Sequence, residues 1–151
     1  MLKLYDHQTN LINQARAALR LNDSVLIQAP TGCGKTVMAA DMVRRVLEKN
    51  KRVWFVCHRR ELMLQTSLTY DKFDIPYGKI EAGRSSDKSD ALICSIGTLK
   101  NRVHTLDKPD LLIWDECHHV GAKGWAAVKS ALPGVKHIGL SATPCRLDGH
   151  G

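Results

Sequence analysis

Ala29-Pro30-Thr31-Gly32-Cys33-Gly34-Lys35-Thr36 decides the fold of this chain. The apolar run Val25-Leu26-Ile27-Gln28 leads into it, and apolar residues at helical spacing follow over 37–49. Strand, small-residue loop and helix together make a phosphate-binding loop. Small residues let the backbone curl so that its N–H groups point at phosphate oxygens. Pro30, Thr31, Gly32, Cys33 and Gly34 form that cradle, Lys35 reaches the β- and γ-phosphates, and the Thr36 hydroxyl ligates magnesium. The helix that starts here adds the positive end of its dipole. One residue departs from the usual GxxxxGK[ST] spacing: Ala29 stands where the first glycine belongs. The expected ligand is ATP with Mg²⁺.

Working outward, the same alternation repeats. Leu11, Ile12, Ala15, Ala18 and Leu19 recur at helical spacing, so 7–20 is expected to be an amphipathic helix, broken by Asn22-Asp23. Residues 24–28 read as a buried strand. Val53-Trp54-Phe55-Val56 is a continuous apolar strand. A helix is expected over 60–70, with Leu62, Met63, Leu64 and Leu68 inward. Pro76 and Gly78 mark a turn before a short strand over 79–82. Residues 83–90 are polar and without period, hence a loop. Ala91–Ser95 and Leu111–Asp115 read as strands. So does 137–141, with helices expected over 98–103 and 124–131. Short apolar strands alternating with helices imply an α/β fold: a predominantly parallel sheet with helices on both faces, here carrying a P-loop. No linker divides the chain, so 1–151 is expected to be one domain.

The composition, 44% hydrophobic and 25% charged, is that of a globular domain. No apolar stretch approaches the roughly 20 residues that span a bilayer, so no membrane partner is expected. The N-terminus lacks a signal-peptide core. Five scattered cysteines without a CxxC pair read as free thiols, which places the chain in the cytoplasm or an equivalent reducing space. Cys117-His118-His119 invites a zinc reading, with Cys145 as a further ligand. Three consecutive residues cannot easily turn toward one ion, so no zinc is expected. A net charge of +7 fits a polyanionic partner, most simply nucleic acid, and equally a surface tuned for solubility. Part of that excess, Arg44, Arg45, Lys49, Lys51 and Arg52, lies near the end of the 37–49 helix, where complementing the helix dipole also accounts for it.

Leu111-Leu112-Ile113-Trp114 runs into Asp115-Glu116-Cys117-His118. Open parallel sheets gather their function at the carboxyl ends of strands. Asp115 there would hold Mg²⁺, and Glu116 would orient or deprotonate the attacking water. An acidic helix start is the competing structural account.

APTGCGKT, DECH and SATP, in this order, resemble motifs I, II and III of superfamily 2 helicases, and Asp-Glu-x-His resembles the DExH type. Leu4-Tyr5-Asp6-His7-Gln8 is similar to the family motif in which a glutamine reads the adenine edge. That resemblance gives Tyr5 and Gln8 to the nucleotide, although Gln8 also reads as an ordinary solvent residue. Cys57 to Gln65 resembles motif Ia, and Ser95-Ile96-Gly97-Thr98-Leu99 the next strand-contacting motif. Residues 139–151 look like motif III of restriction-subunit and phage-type DNA helicases.

The resemblance implies further roles. Lys35, Asp115, Glu116 and His118 serve catalysis, with His118 joining the ATP site to motif III. Ser141 and Thr143 couple hydrolysis to movement. Arg60, Gln65 and Thr98 contact the strand backbone without reading bases. Arg59 and Arg60 also read as an exposed pair at a helix start. The implied activity is that of the ATP-binding motor lobe of an ATP-dependent nucleic-acid helicase or translocase. A nucleic-acid clamp, or an RNA helicase that does not unwind DNA processively, is the alternative. DNA is favoured over RNA only by analogy. A small-molecule kinase would need an acceptor pocket and lid, for which the sequence offers no candidate. Family members continue into a second RecA-like lobe that supplies an arginine finger. The lobe read here is therefore expected to turn ATP over poorly alone and to need a second lobe as partner, in the same polypeptide or in trans.

Overall fold

Apolar runs without polar alternation can be satisfied only when both faces of a strand are covered. The computed structural model describes residues 6–28, 35–58, 60–83, 89–115 and 121–141 (His7 and residues 121–125 by backbone alone) and shows that solution. The elements are α1 (Asp6–Leu19), β1 (Ser24–Gln28), α2 (Lys35–Glu48), β2 (Val53–Cys57), α3 (Arg60–Lys72), β3 (Gly78–Ile80), β4 (Ala91–Ser95), α4 (Ile96–Arg102), β5 (Leu111–Asp115), α5 (Gly121–Ala131) and β6 (Lys136–Ser141). A single 3₁₀ turn, Val103–Thr105, follows α4. The six strands form one sheet in the order β1-β6-β5-β2-β4-β3. Every neighbouring pair in it is parallel.

The pleat divides each strand between two cores. Val53, Phe55 and Cys57 of β2 point to one face, where Ile12 of α1, Met38 and Val43 of α2 and Met63 and Tyr70 of α3 meet them. Trp54 and Val56 point to the other, against Leu99 of α4, Val103, and Val128 of α5. The same division holds in β4, with Ile93 on the first side and Leu92 and Cys94 on the second. Period-two geometry thus turns one apolar run into two cores.

Two helix ends follow one device. Asn50 adopts φ 58° and Asp74 φ 57°, the left-handed region that Asn and Asp tolerate. After α2 the Lys51 N–H donates to the Val46 carbonyl and Asn50 N–H to Leu47. After α3 Ile75 N–H donates to Tyr70 and Asp74 N–H to Asp71. Both are Schellman closures, which satisfy carbonyls the helix leaves open. This cap carries α3 to Lys72, beyond the expected end at 70.

Two sequence expectations shift: β3 is Gly78–Ile80 rather than 79–82, and the inward face of α3 differs. Leu64 and Leu68 do not face inward: they are 56% and 58% exposed. The buried stripe of α3 is Met63, Thr66, Ser67 and Tyr70, spaced three and four apart. Two polar residues can lie in it because their hydroxyls are satisfied locally. Thr66 donates to the Leu62 carbonyl at 2.7 Å and Ser67 to the Leu64 carbonyl at 2.8 Å.

Candidate nucleotide and strand site

All six strands point the same way, so their carboxyl ends form one edge, and the register shows what that edge carries. Gln28, the last residue of β1, pairs with Ser141, the last of β6. Leu140 of β6 pairs with Asp115, the last of β5. Cys57 of β2 pairs with Ser95 of β4. Gln28 and Asp115, distant in sequence, therefore end their strands along one edge with β6 alone between them. Two strand spacings put the ends of β1 and β5 about 10 Å apart.

Lys35 and Thr36 open α2, two residues before the expected start, and both are half-buried. The first turn of α2 holds no acidic side chain. Its positive dipole end therefore lacks the carboxylate that often neutralises such a turn, an arrangement suited to an anion. Asp115 is 7% exposed at the end of β5. A carboxylate and a threonine hydroxyl are hard oxygen donors, the type Mg²⁺ takes, so these residues fit the ion.

Gln8 is buried on α1, which removes the reading of it as an ordinary solvent residue. Ser141 is buried at the end of β6. Arg60 is exposed at the start of α3 and Thr98 half-buried in α4. These helices directly follow β2 and β4, so Arg60 and Thr98 lie beyond adjacent strands on the same edge. Gln65 is exposed on α3 but not on the Arg60 side: five residues turn it about 140° around the helix. Tyr5, Pro30, Thr31, Gly32, Cys33, Gly34, Arg59, Glu116, His118 and Thr143 lie outside the described residues, as do Cys117, His119 and Cys145 of the zinc reading.

Three features of the lobe were missed in the sequence reading. Trp114 donates its indole N–H to Nδ1 of His137 at 3.1 Å, both side chains fully buried. Burial first, then the charge of Lys129, push His137 down to about 4, with Asp23 pulling the other way. The imidazole is therefore neutral, with Nδ1 as acceptor and the proton on Nε2. The second feature is Cys57. Burial pushes its thiol far up, and the Asp115 charge adds to the shift. A protonated, buried thiol is no nucleophile at neutral pH. The third is Asp41, 2% exposed within α2 and paired with Arg44 at 2.9 Å and Arg45 at 2.8 Å. These arginines hold a buried carboxylate in addition to lying near a helix end, and the D-x-x-R-R spacing carries that signal.

The fold and this edge are those of a RecA-like lobe. The chain belongs to the family of the type III restriction enzyme res subunit, whose model matches residues 1–146. It is 32% identical over 126 residues to a 51.5 kDa protein of Lactococcus phage (isolate 7-9), covering 83% of this chain and 25% of that protein. It is 28% identical over 149 residues to the DNA 3'-5' translocase XPB2 of Sulfurisphaera tokodaii, covering 98% of this chain and 32% of the relative. The chain thus spans about a quarter to a third of these curated relatives. In fold it is similar to the UvsW helicase of bacteriophage T4, with a TM-score of 0.77 at 17% identity, over 93% of this chain and 53% of that one. Among the described residues no helix is long and apolar enough to cross a membrane.

Proposed function

We propose that this chain is the ATP-binding lobe of an ATP-dependent helicase or translocase acting on nucleic acid, most simply DNA. One observation carries the reading: the end of β1, the strand that precedes α2, and the end of β5 share one sheet edge with a single strand between them. The loop amides and Lys35 would hold the triphosphate, while Thr36 and Asp115 would hold Mg²⁺. When bound, that ion would neutralise charge on the phosphate oxygens. Glu116 would orient the attacking water and accept its proton, and Tyr5 and Gln8 would hold the adenine. Ser141 and Thr143, with His118, would pass the state of the site to the rest of the motor. Arg60 and Thr98 would hold a strand by its phosphates and sugars, which needs no base readout. Gln65 would contact the strand from a different side of α3.

A second RecA-like lobe, in the same polypeptide or in trans, would complete the site. An arginine finger supplied by such a lobe is worth about 10³ to 10⁵ in rate for NTPases. This lobe alone is therefore expected to hydrolyse ATP slowly and to unwind nothing. Steady-state ATPase with and without single-stranded DNA is the measurement, and robust stimulated turnover by the isolated lobe would refute the need for a partner. Matched DNA and RNA strands in the same assay decide the substrate. Stimulation by RNA alone would move the assignment to an RNA helicase.

A further inference from the structure

The opposite edge of the sheet holds a second concentration of charge that the nucleotide site does not use. A cavity of about 320 Å³ lies among the C-terminal ends of α1 and α2 and the amino-terminal ends of β5 and β6. Arg16, Arg20, Lys49, Lys51 and Lys136 line it, against one carboxylate, Asp110. Its floor is apolar, supplied by α1, α2 and β5. Lys136 is engaged, 3.3 Å from Asp23 and 3.2 Å from the Asn22 carbonyl. The Asp110 carboxylate already accepts the Arg52 N–H at 2.9 Å. Arg16, Arg20, Lys49 and Lys51 are exposed and form no ion pair among the described residues.

Helix dipoles account for part of this charge. Two helix C-termini contribute roughly half a negative charge each, about one in total. Four unpaired cations exceed that severalfold, and they come from two separate helix ends onto one cavity. Paired arginines one helical turn apart present forked donors, and lysines present point charges, a mixture suited to phosphate oxygens. An apolar floor beneath them suits sugar carbons.

We propose that this cavity is a second phosphate-binding site, which takes the backbone of a nucleic-acid strand on the edge of the lobe opposite the nucleotide. The choice of a strand over another polyanion rests on the nucleic-acid reading above; the existence of the site does not. Each cation that neutralises a phosphate contributes about 0.7 to 0.9 to the slope of log affinity against log salt.

The test measures binding of labelled oligonucleotides by this chain without ATP, across a salt series. Arg16→Gln with Arg20→Gln, and Lys49→Gln with Lys51→Gln, should each weaken binding and reduce the slope by about 1 to 2. Asp110→Asn should strengthen binding, a gain that a misfolded variant cannot produce. Binding of a fluorescent ATP analogue should be unchanged in all three. Lys35→Ala should remove the analogue and leave the slope, so failure of the nucleotide reading is distinguishable from failure of this one. An unchanged slope in both double variants overturns the proposal. So does loss of polyglutamate binding with strand binding intact, which would mark an acidic polypeptide as the occupant. Tight saturable binding of tripolyphosphate by Lys35→Ala that is lost when Arg16→Gln and Arg20→Gln are added, with strand affinity unaltered, also overturns it, in favour of a small phosphate ligand.

Discussion

The two edges of this sheet are built from the same strands and have opposite economies. At the amino-terminal edge, charged side chains reach into water and meet one another there. Arg52 lies 3.4 Å from Asp90 and 3.6 Å from Asp107, all three side chains well exposed. At the carboxyl-terminal edge, Asp115 and Ser141 are buried. Burying a carboxylate costs free energy unless something compensates it. Polar groups withdrawn from water at one edge, and left in water at the other, set how much a substitution at each edge costs the fold.

The largest expected effect is at the carboxyl edge. Glu116→Gln, in a protein carrying both lobes, should spare nucleotide binding and lower turnover by about 10² to 10⁴. Single-turnover hydrolysis checks it, and wild-type rates would remove Glu116 from its role. Next, Trp114→Ala should destabilise the lobe by about 3 to 5 kcal/mol in urea unfolding, since it empties a fully buried site and removes the donor to His137 Nδ1. A cost under about 1 kcal/mol would show that the second core tolerates the vacancy.

The third prediction concerns pH. His137 is neutral when folded, with its value depressed to about 4, while an unfolded histidine titrates near 6.5. The unfolded chain binds more protons in that window, so stability is full above about 6.5 and falls as pH drops toward 4, by up to about 3 kcal/mol. His137→Gln should flatten that part of the profile, and an unaltered slope would assign the acid sensitivity elsewhere. The smallest effect belongs to the amino edge. Arg52→Ala loses only exposed ion pairs and should cost about 0.2 to 1 kcal/mol, with nucleotide affinity unchanged. A larger penalty would erase the contrast between the edges.

The strands were legible because burial on both faces leaves a simple trace: Val53-Trp54-Phe55-Val56 has no polar alternation to confuse it. Ala91–Ser95 and Leu111–Asp115 fall where the sequence reading puts them. Helix α3 misled because leucine is the stronger apolar signal. The residues that face the core include Thr66 and Ser67, whose hydroxyls bond backward to the helix and so behave as small, satisfied core residues. The Trp114–His137 bond joins positions 23 apart and exists only because β6 neighbours β5. Strand order leaves no mark in local periodicity, so that contact could not be read. The place of Asp115 at the end of a buried strand was legible from the apolar run before it, whereas the burial of Gln8 was not. The basic cavity was half visible: Lys49 and Lys51 stood out, but Arg16, Arg20 and Lys136 join them only through the fold.

β6 is hydrogen-bonded along both sides, to β1 from Ser24↔His137 through Gln28↔Ser141 and to β5 from Leu111↔Lys136 through Asp115↔Leu140. A strand clamped in this way cannot slip without tearing two ladders at once. If nucleotide turnover drives motion through Ser141, the strand behaves as a fixed anvil, and displacement begins only where the backbone departs from it. Amides from Ile138 to Leu140 should then exchange with deuterium equally slowly before and after nucleotide is added.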